Sequence, residues 1–190
     1  EIFQISGGEP TTHPKIIEIL ELAESKKIKY VMLNTNGIRI AEDIEFVKKL
    51  GNLSPNFQVY LQFDGLEKST SVELRGRDLS QIKIKAIENL AKFEIPITLV
   101  ATIQKGVNDH EIGKIIDFGM KTKYVRGFNF QPISFFGRLN EKVNLKDRIT
   151  LTGILNRIEE QTSILKKSDF IPLPCNLERV AATHLYNSCE

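Results

Sequence analysis

Tryptophan is absent from this 190-residue chain, cysteine and methionine occur twice each, and neither sign of charge clearly prevails. Each shortage excludes something. Two cysteines, Cys175 and Cys189, build no disulfide framework of the kind that staples small secreted domains, so a reducing cytoplasm is the default compartment. A net charge of +2, from 26 basic and 24 acidic residues, is too small an excess for a nucleic-acid-binding face, and no nucleic-acid partner is indicated. No apolar run approaches the roughly 18–20 residues that a transmembrane segment needs. The first residues read as a strand entering a glycine loop, not as a secretory leader. The chain opens at Glu1 inside that strand pattern and stops at Glu190 without a terminating signal, so the expectation is an excerpt of a longer protein.

What is present is enough apolar material for one domain, 41% of residues, arranged in two alternating periods. Runs rich in β-branched and aromatic residues predict strands at Ile2–Ser6, Tyr30–Leu33, Gln58–Phe63, Ile97–Ile103 and Val125–Ile133. Helical spacing fills the intervals. One helix is opened by Pro14 and carries Ile16, Ile17, Ile19, Leu20, Leu22 and Ala23. A second runs from about Ala41 to Leu50 and is ended by Gly51, and a third is capped by Ser80 and runs through Leu90 and Phe93. A fourth, capped by Asn108 or Asp109, carries Ile112, Ile115, Ile116 and Phe118, and a long helix covers about Asp147–Ser163. Strand starts near residues 2, 30, 58, 97 and 125 match the ~30 residues of a βα unit and predict a parallel sheet with helices outside.

Periodicity leaves a barrel and an open doubly wound sheet as alternatives. In both, the loops after the strands carry the chemistry. Polar residues gather there: Gly7-Gly8-Glu9-Pro10, Asn34-Thr35-Asn36, Gln62 and Asp64, Thr102 and Gln104, Asn129 and Gln131.

The first of these loops, Ile5-Ser6-Gly7-Gly8-Glu9-Pro10-Thr11-Thr12-His13-Pro14, is the most informative. Two glycines let a ligand approach the backbone. Glu9 and the loop carbonyls offer acceptors suited to a cationic amine. The segment resembles the second strand and loop of radical S-adenosylmethionine (SAM) enzymes. Leu33-Asn34-Thr35-Asn36-Gly37 is similar to that family's third strand end, and Tyr60-Leu61-Gln62-Phe63-Asp64-Gly65 to its fourth. The resemblance covers about residues 1–135. It implies an α/β fold: a partial TIM-type (β/α)6 barrel lacking its first strand, over residues 1–145, followed at 146–190 by a helix and an irregular tail.

The resemblance also implies an activity and cofactors. A [4Fe–4S] cluster reductively cleaves SAM to a 5′-deoxyadenosyl radical, which abstracts hydrogen from a substrate, with electrons from a reductase, flavodoxin or ferredoxin. Gly7, Gly8, Glu9 and Pro10 would grip the SAM amino group. Gln62 takes the place of a family serine, Asp64 supports the same edge, and Arg75 would pair with the SAM carboxylate. Asn34 and Thr35 would face SAM or substrate, and Thr102 and Gln131 would frame adenine or substrate. Simpler readings stand beside these. Asn36-Gly37 makes a turn, Arg75 and Arg77 form surface pairs with Glu73 and Asp78, Thr102 is a satisfied strand-end hydroxyl, and His13 caps a helix.

The family's Cys-x-x-x-Cys-x-x-Cys triad is missing, and two cysteines cannot supply three cluster thiolates. The expectation is that these ligands lie upstream of residue 1 and that the chain alone is inactive. Cys175 and Cys189 are either auxiliary-site ligands or isolated thiols. Phe128-Asn129-Phe130-Gln131-Pro132-Ile133-Ser134-Phe135-Phe136-Gly137-Arg138 and Ile171-Pro172-Leu173-Pro174-Cys175 look like the group that includes tetraether lipid synthase and pterin-modifying methylases, more distantly the molybdenum-cofactor biosynthesis A protein. A small-molecule, pterin-like or lipid substrate follows from that likeness. Phe128, Phe130, Phe135 and Phe136 either line an apolar channel or fill helix-facing layers. Two other functions compete: a non-catalytic barrel module binding SAM or a partner, and an unrelated α/β enzyme using Glu9 and Asp64 as acid and base. A missing first βα unit would leave a sheet edge open, so dimerisation through that edge is expected.

Overall fold

Five short aliphatic and aromatic runs pair side by side into one parallel sheet: β1 (Ile2–Ile5), β2 (Tyr30–Thr35), β3 (Phe57–Gln62), β4 (Ile97–Ile103) and β5 (Val125–Pro132). The computed structural model describes residues 2–26, 28–53, 55–135 and 147–171. Sheet order follows chain order without reversal. A doubly wound sheet reverses at a switch point; this one does not, and the fold is a partial TIM-type barrel.

Seven helices lie among the described residues: α1 (Ile16–Glu24), α2 (Ile38–Glu42), α3 (Ile44–Gly51), α4 (Lys68–Arg75), α5 (Ser80–Lys92), α6 (Ile112–Lys121) and α7 (Leu151–Gln161). All but α4 contribute side chains to the core on one face of the sheet. Side chains alternate along a strand, and Val31, Leu33, Phe57, Val59, Leu61, Ile97, Leu99, Ala101 and Ile103 enter the core shared with Leu20, Ile40, Leu50, Leu90 and Ile116. Complete burial of one such side chain contributes about 1.5–3 kcal/mol. Ile154 and Ile158 of α7 join the same core.

The sequence reading needs five local corrections. Ser80 is the first residue of α5 and not its cap, a position that falls on Leu79 without a side-chain bond. The helix expected over Ala41–Leu50 is two helices, because Asp43 leaves the helical region and its side chain accepts from the Phe46 N–H at 2.9 Å, starting α3 afresh. Helix α4 was not expected; it is mostly polar and buries only Thr70. Asn108 and Asp109 do not cap α6: their side-chain oxygens accept instead from the N–H groups of Gln104 and Gly106, both at 2.8 Å. The last helix is shorter than Asp147–Ser163 and begins where Thr150 accepts from the Gly153 N–H at 3.0 Å.

Candidate functional site

The loop after β1 holds two consecutive left-handed glycines, Gly7 at φ +99° and Gly8 at φ +52°. L-residues with a Cβ resist this conformation. A Cβ on either would meet nothing within 4 Å, so the loop backbone is open on its outer side.

Directly after it, the Glu9 carboxylate is saturated from within the chain. Oε1 accepts from the Thr11 N–H at 3.1 Å, the Thr11 hydroxyl at 2.6 Å and the Thr35 hydroxyl at 2.7 Å, and Oε2 accepts from the Asn36 N–H at 2.6 Å. Glu9 therefore ties the buried turn at Pro10–Thr12 to the end of β2. The acceptors that the loop leaves available are backbone carbonyls.

Thr35 is buried on the helix side of β2, with its hydroxyl committed to Glu9. Its side chain is turned to the face opposite Asn34. Asn34 lies on the open face. Register partners in a parallel sheet share a face, and the rows read Gln4–Met32–Gln58, Asn34–Tyr60–Thr98–Gly127, Gln62–Val100–Asn129 and Thr102–Gln131. Asn34, Gln62, Thr102 and Gln131 thus stand together on one floor of amides and hydroxyls, with no charged side chain in these rows.

At the rim of this floor, Arg75 from α4 grips Asp64. Nε donates to Oδ2 at 2.7 Å and Nη2 to Oδ1 at 2.8 Å, in the fork that matches a carboxylate. Asp64 Oδ1 also accepts from the Thr102 N–H at 3.0 Å. With its amide oxygen facing the guanidinium, Gln62 accepts from Nη2 at 3.0 Å and Nη1 at 3.1 Å. Arg75 is thus paired with Asp64, not with Glu73 or Asp78. The acid–base reading of Glu9 and Asp64 is overturned, since both carboxylates are held by internal donors.

Three site residues went unnoticed in the sequence. Asn108, fully buried, donates to the Asp64 carbonyl at 2.7 Å and the Thr102 carbonyl at 2.8 Å, bracing two strand ends. Glu111, also fully buried, accepts from the Leu66 N–H at 2.7 Å, the Glu67 N–H at 3.0 Å and the Thr70 hydroxyl, fixing the start of α4 and thus Arg75. Lys83 of α5 is 4% exposed and donates to the Asn36 carbonyl. Burial pushes its pKa down to about 8, with Asp64 and Glu9 opposing and Arg75 and Arg77 assisting. A polar residue followed by a helix at a strand end was the available signal for Asn108; a lone lysine in an amphipathic helix gave none.

Glu67, His110 and Glu111 bring ligand atoms within 4.8 Å of one another. Glu111 is already saturated, and Glu67 is held at 2.8 Å by the Lys114 ammonium, so no metal is assigned there. His13 does not cap α1: its backbone N–H closes the short 3-10 turn over Pro10–Thr12, and its Nδ1 accepts from the Lys15 N–H at 3.2 Å. Phe128 and Phe130 stack at 6.2 Å on the helix face, where they line an apolar cavity of about 620 Å³ with Leu151, Ile154, Leu155 and Ile158. Phe136, Gly137, Arg138, Cys175, His184 and Cys189 lie outside the described residues. None of the helices among the described residues is long and apolar enough to cross a membrane.

The Radical SAM superfamily model matches residues 1–119. The 7,8-dihydro-6-hydroxymethylpterin dimethyltransferase of Methanocaldococcus jannaschii is 41% identical over 174 residues, 90% of this chain and 34% of that protein. A probable GTP 3′,8-cyclase of Thermococcus kodakarensis is 32% identical over 63% of this chain and 37% of its own length. The chain thus spans about a third of the curated relatives it matches. Streptococcus suis SuiB bound to S-adenosylmethionine superimposes with a TM-score of 0.61 at 24% identity, over 84% of this chain and 33% of that one, a likeness of fold.

Proposed function

Since the chain belongs to the radical SAM superfamily, a family of enzymes that use SAM and a [4Fe–4S] cluster, we propose that it forms the SAM- and substrate-holding part of an enzyme that acts on a pterin-like heterocycle. When both cofactors are bound, they supply a 5′-deoxyadenosyl radical for hydrogen abstraction; the protein supplies placement and exclusion of water. The loop carbonyls at Ser6–Gly8 would accept from the SAM amino group. The open space beside the two glycines fits such an approach. Arg75 spends Nε and Nη2 on Asp64 and Nη2 and Nη1 on Gln62, so it would take the SAM carboxylate by exchanging Gln62 for it. The cluster does not fit this chain's own residues: two cysteines fall short of three thiolates. Its ligands are proposed to lie outside these 190 residues, in a reducing, cytoplasmic setting with a ferredoxin- or flavodoxin-type donor.

The observation that carries the substrate class is the uncharged amide floor. Asn34, Gln58, Asn129 and Gln131 offer paired donors and acceptors on one face of the sheet, and Gln62, its oxygen taken by Arg75, adds its N–H₂. Amide side chains match the donor–acceptor edge of a flat heterocycle; a saturated chain would leave them unpaired at a cost. The pterin named for the 41%-identical relative supports the same class. The aromatic pair that would serve a lipid lies on the opposite face of the sheet.

The test is anaerobic turnover by the full-length protein with SAM and reductant, offered either a reduced hydroxymethylpterin or an archaeal-type diether lipid. Release of 5′-deoxyadenosine with a modified pterin is expected. Modification of the lipid alone would overturn the substrate class, and no release with an intact cluster would make the chain a non-catalytic SAM-binding module.

A further inference from the structure

Lys83 is a lysine with no place in the reading above, yet it is buried beneath the site. It lies one turn into α5 and reaches across to the connection after β2. Lysine is almost never buried unless paired. Its acceptor is not a carboxylate but the Asn36 carbonyl. The same residue sends its N–H to Glu9 Oε2 at 2.6 Å. Asn36 is therefore held from both sides, by Glu9 on its N–H and by Lys83 on its carbonyl. The rest of that turn is tied down as well: the Ile38 N–H donates to Asn36 Oδ1 at 2.9 Å, and Asn89, further along α5, donates to the Ile40 carbonyl at 3.0 Å.

We propose that Lys83 is a positioning residue whose ammonium clamps the Asn36 carbonyl and, through the Asn36–Glu9 bond, holds the glycine loop in the posture that receives the SAM amino group. The mention of SAM rests on the function proposed above; the clamp itself does not.

The clamp titrates. Charged groups face Lys83 from every neighbouring element: Asp64 at the end of β3, Arg75 in α4, Glu9 in the glycine loop and Arg77 before α5. Carboxylates and guanidiniums as classes do not change charge between pH 7 and 9. A neutral amine donates a weaker hydrogen bond than an ammonium. Raising the pH through about 8 therefore loosens the clamp.

The experiment is amide hydrogen exchange, read as protection factors, on the full-length protein with its cluster as wild type, Lys83→Met and Lys83→Arg, with anaerobic SAM titration by calorimetry on the same samples. The reporters are the Thr11 and Asn36 amides, both donors to Glu9, and the control is the Ile115 amide in α6. Lys83→Met is expected to lower protection at Thr11 and Asn36 about tenfold relative to Ile115, which follows global stability. Between pH 7 and 9 the wild type should lose about fivefold protection at the same two amides, and Lys83→Arg, whose charge persists, should not. An inert buried side chain would give no such pH profile and no rescue by arginine. Unchanged protection in Lys83→Met overturns the proposal, as does the same pH-dependent loss in Lys83→Arg. Should Lys83→Met unfold, the wild-type and arginine pH series decides alone. Loss of SAM affinity in Lys83→Met with recovery in Lys83→Arg supports the whole proposal. If the exchange pattern holds while SAM affinity is the same in all three proteins, the link from clamp to ligand is overturned. If it holds and none binds SAM, the SAM reading of the loop is what fails.

Discussion

Arg75 and Asp64 form a two-pronged pair, Nε to Oδ2 at 2.7 Å and Nη2 to Oδ1 at 2.8 Å, that joins α4 to the end of β3. The carboxylate is nearly enclosed while the guanidinium keeps one side toward solvent. Asp64→Asn replaces one acceptor oxygen by an N–H₂ that faces the guanidinium. Hydrogen bonds to charged groups contribute about 1.5–3 kcal/mol, so the variant should unfold at lower urea with a loss of roughly 2 kcal/mol. Chemical denaturation followed by circular dichroism measures it. An unchanged midpoint would show that the pair contributes nothing net to stability.

The glycines of the chain separate into two kinds. Gly8 is left-handed with empty space where a Cβ would go, so Gly8→Ala should cost only backbone strain, about 1–2 kcal/mol. Gly37 is left-handed too, at φ +79°, but its Cβ would sit 2.5 Å from Leu61 Cδ1, in the core. Gly37→Ala should therefore be the more destabilising of the two by thermal melting. SAM affinity should reverse the comparison per unit of stability lost, because the Gly8 methyl would occupy the open side of the loop.

Stability should carry a signature of Lys83 at alkaline pH. Its pKa falls from 10.5 in the unfolded chain to about 8 on folding. Below pH 8 both states hold the proton and the native state bears the full burial penalty. Between about 8 and 10.5 the unfolded chain binds more protons than the native one, so stability from this group rises with pH. The gain approaches roughly 3 kcal/mol, at 1.36 kcal/mol per pH unit. The difference between wild type and Lys83→Met in urea midpoints at pH 7 and 9.5 isolates it; a pH-independent difference would refute it. Global stability and local clamping thus move in opposite directions as Lys83 loses its proton.

The free side of β1 is apolar. Ile2 is 54% exposed and Phe3 42%, and beside them Leu22 of α1 is 59% exposed. β1 pairs only with β2 among the described residues. An open hydrophobic edge recruits another strand. We expect this chain to self-associate in proportion to concentration, and Phe3→Lys to suppress it. Light scattering from dilute to concentrated solution measures both, and a concentration-independent monomeric wild type would remove the edge from consideration.

Residue chemistry and period by themselves determined much of this protein. The runs at Tyr30, Ile97 and Val125 became strands because β-branched and aromatic side chains suit extended backbone, whereas strict alternation of burial belongs to β3. Two consecutive glycines before Glu9 announced a loop that needs left-handed backbone. Polar residues at five successive strand ends announced a polar rim at the carboxyl end of the sheet. Tertiary structure decided the rest. Barrel or open sheet was settled by the order of strand pairing, which no local window contains. Asp43 broke an apolar helical run because its side chain found the Phe46 N–H, and α4 formed from a polar segment because Glu111, more than forty positions later in the chain, took the N–H groups of Leu66 and Glu67 just ahead of it. Glu9, Thr35 and Asp64 were visible as polar residues, but their donors come from distant segments, so whether a carboxylate is free or saturated was not written in their spacing. Lys83 shows this most plainly: a lysine in an amphipathic helix ordinarily faces water, and only the packing of α5 under the Asn36 turn removes it from solvent and gives its charge a task.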